Sequence, residues 1–277
     1  MIKEKWVVIW DDKENFKLTD IYGLNFLDYE LIESSVKTNE IDMPGIDGVM
    51  VGTNTLEPFD IVLNFFFDGA DKHDLNLFAE KLRKKLRRRD PFYLRHSYLP
   101  GIKYAINSAE INYEKLNHSD AEITMTFHCY KGYSESFKET NEYSLYSDNW
   151  QFENNLLSDS NIKYKHNTTS FSIYNGSTDT INPLLRHKFK LLINIDAPNG
   201  FKLENKTTGD VFEYKKPIKI NTQIMIQGVH PFIGNSRIGI DTNWKWITLD
   251  AGYNEIEITG KNIGETSTQW IFPFIYR

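Results

Sequence analysis

Three turn signatures punctuate short apolar runs in the last third of the chain: Tyr174-Asn175-Gly176-Ser177, Asn205-Lys206-Thr207-Thr208-Gly209-Asp210 and Leu249-Asp250-Ala251-Gly252-Tyr253-Asn254. Asn and Gly tolerate the positive φ that tight turns demand, and the flanking segments alternate apolar and polar residues as half-buried strands do. Nine short strands are expected here: Ser170 to Tyr174, Phe189 to Ile195, Phe201 to Glu204, Val211 to Tyr214, Ile218 to Gln227, Ile238 to Asp241, Trp246 to Leu249, Asn254 to Thr259 and Gln269 to Tyr276. Such a series closes into a β-sandwich or jelly roll. That architecture carries lectins, capsid proteins and assembly modules alike, so it does not by itself assign a function.

The first half reads differently. Strand-like runs at Trp6 to Trp10 and Tyr29 to Val36 precede the stretch from Ile41 to Gly52, whose Gly, Pro and Asp content demands sharp turns. Phe59 to Phe67 alternates and then becomes continuously apolar, the pattern of a strand covered on both faces. One helix follows: Leu75, Phe78, Leu82 and Leu86 recur at helical spacing, Asp71 or Asp74 can cap its N-terminus, and Pro91 stops it. Strands resume at Phe92 to Arg95, Lys103 to Tyr113 and Ala121 to Lys131. The whole is mainly β, with an N-terminal β-rich α+β domain that carries one helix.

At 277 residues the chain exceeds one ordinary core. A polar junction at about 132–169 places the division, giving expected domains 1–145 and 146–277; Trp150, Phe152, Leu156 and Leu157 within it imply that part of the junction packs. A net charge of -6 argues against a surface built as a whole to grip a polyanion. The single cysteine, Cys129, sits in a strand-like run and reads as a small buried hydrophobe. Neither a signal peptide nor a run of roughly 20 apolar residues is evident, so the expectation is assembly in a cytoplasm without membrane insertion.

Chemistry-bearing patterns are sparse. The histidines lack metal-ligand spacing, and no Cys-x-x-Cys, phosphate loop or nucleophile elbow is found, so no catalytic, cofactor or metal residue is expected and the chain does not read as an enzyme. Glu255 and Glu257 share a strand face, which a solvated sheet explains better than a glycosidase pair. Trp244 and Trp246, two apart, could form a stacking platform for a sugar, against a core or interface role. Trp270, Phe272, Phe274 and Tyr276 share one strand face with Ile271 and Ile275 opposite, which marks a core strand. Lys81, Arg83, Lys84, Lys85, Arg87, Arg88 and Arg89 crowd the helix C-terminus; they complement its dipole, and could also face phosphates or acids on a neighbouring subunit.

The order of these features resembles the distal tail protein (Dit) family of long, non-contractile-tailed phages of Gram-positive bacteria. The likeness rests on Asp20-Ile21-Tyr22-Gly23, Pro44-Gly45-Ile46-Asp47-Gly48, the Phe59 to Phe67 strand, the helix running to Arg89-Asp90-Pro91-Phe92-Tyr93-Leu94, and the three C-terminal turn motifs. It implies an N-terminal domain forming a hexameric ring at the virion tail tip, with DNA passing the lumen without specific binding. It also implies a galectin- or carbohydrate-binding-module-like C-terminal sandwich projecting outward. The implied partners are the tail tube protein, a tail-associated lysin or fibre protein and a receptor-binding protein. In that setting Asp42 to Asn54 is an arm onto the next subunit, and the basic helix end faces a neighbour or the lumen. The alternative is a carbohydrate-binding module acting directly in host-surface adhesion, with Trp244 and Trp246 as its platform.

Overall fold

The computed structural model describes residues 4–144, 149–150 and 161–277. The chain forms two compact units that divide between Ser134 and Glu135. Of the apolar residues expected to pack within the polar junction, Trp150 is buried against Tyr143 and Phe274; Phe152, Leu156 and Leu157 lie outside the described residues.

In the N-terminal unit, strands Val7–Trp10 (β1), Asn15–Lys17 (β2) and Leu24–Ile32 (β3) come first. Four short strands follow, Val36–Lys37 (β4), Glu40–Asp42 (β5), Val49–Val51 (β6) and Thr55–Leu56 (β7). Next come Phe59–Phe67 (β8), helix Lys72–Leu86 (α1), Phe92–His96 (β9), Ile102–Lys115 (β10) and Ala121–Cys129 (β11). The main sheet runs β2-β1-β9-β10-β11-β8-β3, with antiparallel neighbours throughout.

Helix α1 forms where its spacing predicts. The Asp71 carboxylate accepts from the amides of His73 and Asp74, satisfying two of the orphan donors at the N-terminus. Its apolar stripe, Leu75, Phe78, Leu82 and Leu86, is buried, and Phe78 stacks on Phe67 with ring centres 4.1 Å apart. Strand β8 departs from the expectation of two covered faces. Phe59, Ile61, Leu63, Phe65 and Phe67 are buried, whereas the opposite face is half-buried and partly polar: Asp60 pairs with His128 at 2.7 Å, and Asn64 donates to Asp28 at 2.7 Å. Val62 and Phe66 on that face give the run its apolar look.

At the end of β9, in register with Val7 of β1, His96 has no exposed surface and lies among the rings of Phe26, Tyr29 and Tyr104. Neither ring nitrogen has a hydrogen-bond partner, and burial lowers its pKa to about 4.

The C-terminal unit is a sandwich of two antiparallel sheets. One runs Lys165–His166, Thr266–Ile271, Lys190–Ile195, Gln223–Gln227, His230–Ile233, Ser236–Arg237; the other runs Ser170–Asn175, Gly252–Thr259, Phe201–Asn205, Asp210–Tyr214. Between them lie buried Leu191, Ile193, Leu203, Phe212, Ile256 and Trp270; Phe171 and Phe189 meet Trp270 edge-on.

The three turn signatures are joined through their asparagines, all buried. Asn175 donates to the Leu249 carbonyl at 2.9 Å, and Asn205 donates to the Thr248 carbonyl at 2.7 Å and to Asn254 Oδ1 at 3.0 Å. Asn254 accepts from the Asp250 amide and donates back to the Asp250 carbonyl. The glycines play two different parts. Gly209 and Gly252 have φ of +76° and +92°, as expected, but Gly176 does not adopt positive φ; a Cβ there would sit 3.0 Å from the Phe274 ring, so the requirement is close approach.

Four expected strands change. Ile218 to Gln227 keeps only Gln223–Gln227 as strand, Ile238 to Asp241 contains a 3-10 turn, Gly239–Asp241, and Trp246 to Leu249 forms no strand. Gln269 to Tyr276 breaks after Ile271, where Pro273 cannot donate to a ladder, and resumes at Ile275–Tyr276. Through that break Ser136 and Thr140 supply the pairing. The Ser136 amide donates to the Phe274 carbonyl at 2.8 Å, its hydroxyl accepts from the Phe274 amide, and Thr140 repeats the exchange with Phe272.

Candidate functional site

Trp244 and Trp246 come together at one concavity of the C-terminal unit. A cavity of about 500 Å³ is lined by both tryptophans with His230, Pro231, Arg237, Ile240 and Lys245 among its walls. Trp244 is 72% exposed and has a left-handed backbone, φ +59°, a conformation that a bulky side chain rarely adopts. Local hydrogen bonds hold it there. Thr242 donates through its hydroxyl to the Gly239 carbonyl at 2.8 Å, and its oxygen accepts from the Trp244 amide at 3.2 Å. Asn243 fastens the same loop to the neighbouring strand, accepting from the Glu213 amide and donating to the Val211 carbonyl. The benzo edge of Trp244 lies where a Cβ on Gly239 would be, 2.8 Å away, so only glycine at 239 lets the ring settle. Trp246 is half-buried beside it. Neither tryptophan belongs to the core.

The basic helix end separates into anchored and solvated cations. Arg88, with a side chain only 12% exposed, pairs with Asp11 at 2.8 Å and Glu14 at 3.3 Å and lies over the Phe92 ring. Lys85 pairs with Glu14 and covers Phe16. These two tie the helix to the turn between β1 and β2. The Lys13 and Glu14 amides, with Arg88 adding its charge, hold the Asp11 carboxyl below the usual carboxylate range. Arg83 pairs with Glu80 one turn earlier. Lys81, Lys84, Arg87 and Arg89 are exposed.

A third surface is the segment Val36–Leu56. It folds on itself as a two-stranded ribbon, β4 against β7 and β5 against β6, closed by a turn in which Gly45 and Gly48 have positive φ. Its apolar side chains face water: Ile46 is 63% and Val51 67% exposed, and Val36, Ile41, Val49 and Met50 are exposed as well. The Gly, Pro and Asp content of Ile41 to Gly52 predicts a sharply turning loop; the ribbon that forms around the turn has its signal in the apolar pair Ile41 and Met50, which face each other in register.

Other groups are accounted for locally. Glu255 accepts from Ser172 and Glu257 pairs with Lys206, as on a solvated sheet. Cys129 is buried. Among the described residues no cluster of His, Cys, Asp and Glu could hold a metal ion, and no helix is long and apolar enough to cross a membrane.

Residues 17–129 match the family described as phage tail protein RIFT-related domain. No curated protein matches the sequence. Among solved structures, the chain is similar to the Dit protein (gp 19.1) of phage SPP1, described as a paradigm of the hub adsorption apparatus in phages infecting Gram-positive bacteria. The two are 14% identical over 97% of this chain and 99% of that one, with a TM-score of 0.66. A chain of the phage P2 baseplate in its activated, Ca-bound conformation is 10% identical over 97% of this chain and 98% of that one, with a TM-score of 0.44. The resemblance read from turns and core strands is therefore met by the family match, and the fold over nearly the whole chain is that of SPP1 Dit.

Proposed function

We propose that this protein is the distal tail hub of a long, non-contractile phage tail, a structural component of the virion tail tip with no enzymatic activity. Its N-terminal unit closes into a homo-oligomeric ring of six copies that continues the tail tube protein and lets DNA pass without specific binding. Its C-terminal sandwich faces outward, where receptor-binding proteins and the lysin or fibre protein dock, and assembly takes place in the host cytoplasm.

The observation that carries this reading is the ribbon Val36–Leu56. An isolated two-stranded ribbon is marginal in water, and one that shows water apolar side chains on both faces, Ile41 and Met50 on one and Val49 and Val51 on the other, with unpaired edges, calls for a partner surface. A copy of the same chain supplies one in a head-to-tail interface that closes into a ring. The stretch 17–129, which matches the phage tail family, encloses the whole ribbon. Negative-stain images of the purified protein are expected to show rings with a central hole, and Ile41→Ser combined with Val51→Ser to leave monomers with an unchanged circular dichroism spectrum. A protein that stays monomeric when concentrated, alone and with the tail tube protein, overturns the reading.

A further inference from the structure

We propose that the cavity at Trp244 binds a saccharide carrying an anionic group, phosphate or carboxylate, with the indole face stacked on a sugar ring and Arg237, Lys245 and His230 receiving the charge. Three independent features point there.

The first is strain without a structural return. A tryptophan at φ +59° is costly, yet it is held by the Thr242 hydroxyl and seated on Gly239, and the ring it presents is largely open to water. Backbone strain retained around an exposed aromatic is the mark of a pre-positioned binding group. The second is shape. About 500 Å³ falls within the roughly 300–1,000 Å³ of small-ligand pockets, and Trp244, Trp246 and Ile240 give it apolar walls that match the C–H faces of a pyranose. The third is charge. The chain carries a net -6, yet the charged side chains lining this cavity are Arg237 and Lys245, joined by His230, with no carboxylate among the lining residues. The nearest acid in sequence, Asp241, belongs to the adjoining turn and faces Lys216 at 4.0 Å.

Cations beside an aromatic also suit single-stranded nucleic acid. That ligand requires a basic groove with successive stacking rings, whereas this site is a single compact concavity with one open indole face. The proposal concerns the C-terminal unit alone and stands whether or not the chain forms a ring.

The test titrates the full-length protein, followed by tryptophan fluorescence and NMR, with four probes: a phosphorylated disaccharide, the same disaccharide without phosphate, inorganic phosphate, and a thymidine oligonucleotide. The phosphorylated sugar is expected to bind roughly tenfold or more tighter than either the neutral sugar or phosphate alone, and to weaken as salt rises. Trp244→Gly, which suits the positive φ and so folds at least as stably, is expected to lose roughly tenfold or more in affinity. Arg237→Gln with Lys245→Gln is expected to erase the preference for the anionic over the neutral sugar while sparing neutral binding. The proposal is overturned by no binding of the phosphorylated sugar at about 10 mM, by equal binding of both sugars or of phosphate alone, by tighter binding of the oligonucleotide, or by unchanged affinity in Trp244→Gly.

Discussion

Asn205 donates to Asn254 Oδ1 at 3.0 Å across two neighbouring strands, and this bond joins turn signatures that lie about fifty residues apart. Asn254 in turn holds Asp250 through the amide and carbonyl, and Asn205 also holds the Thr248 carbonyl. Trp246 to Leu249 thus has only a single backbone bridge, Leu249 with Ile181, and is otherwise kept in place by side chains, the Asn175 and Asn205 amides and the Asp210 carboxylate.

Asn205→Ala is therefore expected to destabilise the C-terminal unit by about 2–3 kcal/mol, because buried partners lose their bonds without gaining water. Asn254→Ala is expected to do much the same. The double variant should fall short of the sum by about 1 kcal/mol, since both act on one network. Urea unfolding with hydrogen exchange read over 201–214 and 252–259 checks this; additive effects would show the bonds to be independent.

The seven cations at the helix end should divide on substitution as they do in space. Arg88→Ala is expected to cost about 1–2 kcal/mol, through loss of Asp11, Glu14 and the Phe92 ring. Lys84→Ala and Arg87→Ala should stay within about 0.5 kcal/mol, as exposed residues do. Thermal unfolding of the three variants decides it; a large loss in Arg87→Ala would contradict the division.

His96 gives the N-terminal unit a pH dependence of known sign. Its folded pKa, about 4, lies below the ordinary 6.5, so the unfolded chain binds the proton more readily between those values. Stability is then unaffected by His96 above about pH 7 and falls as pH drops from 6.5 towards 4, with about 2 kcal/mol lost by pH 5. His96→Phe is expected to remove that part of the pH dependence. Urea midpoints at pH 7 and pH 5 for both proteins check it; equal slopes would mean that His96 does not control the loss.

Regular elements were legible where one face alone decides burial. Leu75, Phe78, Leu82 and Leu86 announced α1, and Asp71 announced its start, because period and cap are local properties. What the sequence hid depended on distant atoms. Gly176 looks like a turn glycine, but its smallness answers to Phe274, almost a hundred residues on. Trp246 to Leu249 alternates like a strand, yet its backbone pairs only at Leu249, with Ile181, while the buried asparagines at 175 and 205 bind the Leu249 and Thr248 carbonyls. At the candidate cavity, Trp244 and Trp246 stood out by composition, while Arg237 and His230 come from another hairpin and join them only through the fold. The split of the helix cations was equally out of reach, because Asp11 and Glu14 precede Arg88 by more than seventy residues.

The exchange between Ser136 and Phe274, and between Thr140 and Phe272, has a consequence for how the chain acquires its shape during synthesis. Those pairs span 138 and 132 residues, so the C-terminal unit encloses nearly all of its own sequence within its closing bonds. The loop-closing entropy for these contacts is met only once residues 272–274 have left the ribosome, whereas every strand of the main N-terminal sheet named above is present by Cys129. The first unit can thus complete itself co-translationally while the second waits, and cutting the chain before residue 272 should leave the sandwich unclosed while the earlier unit stays folded.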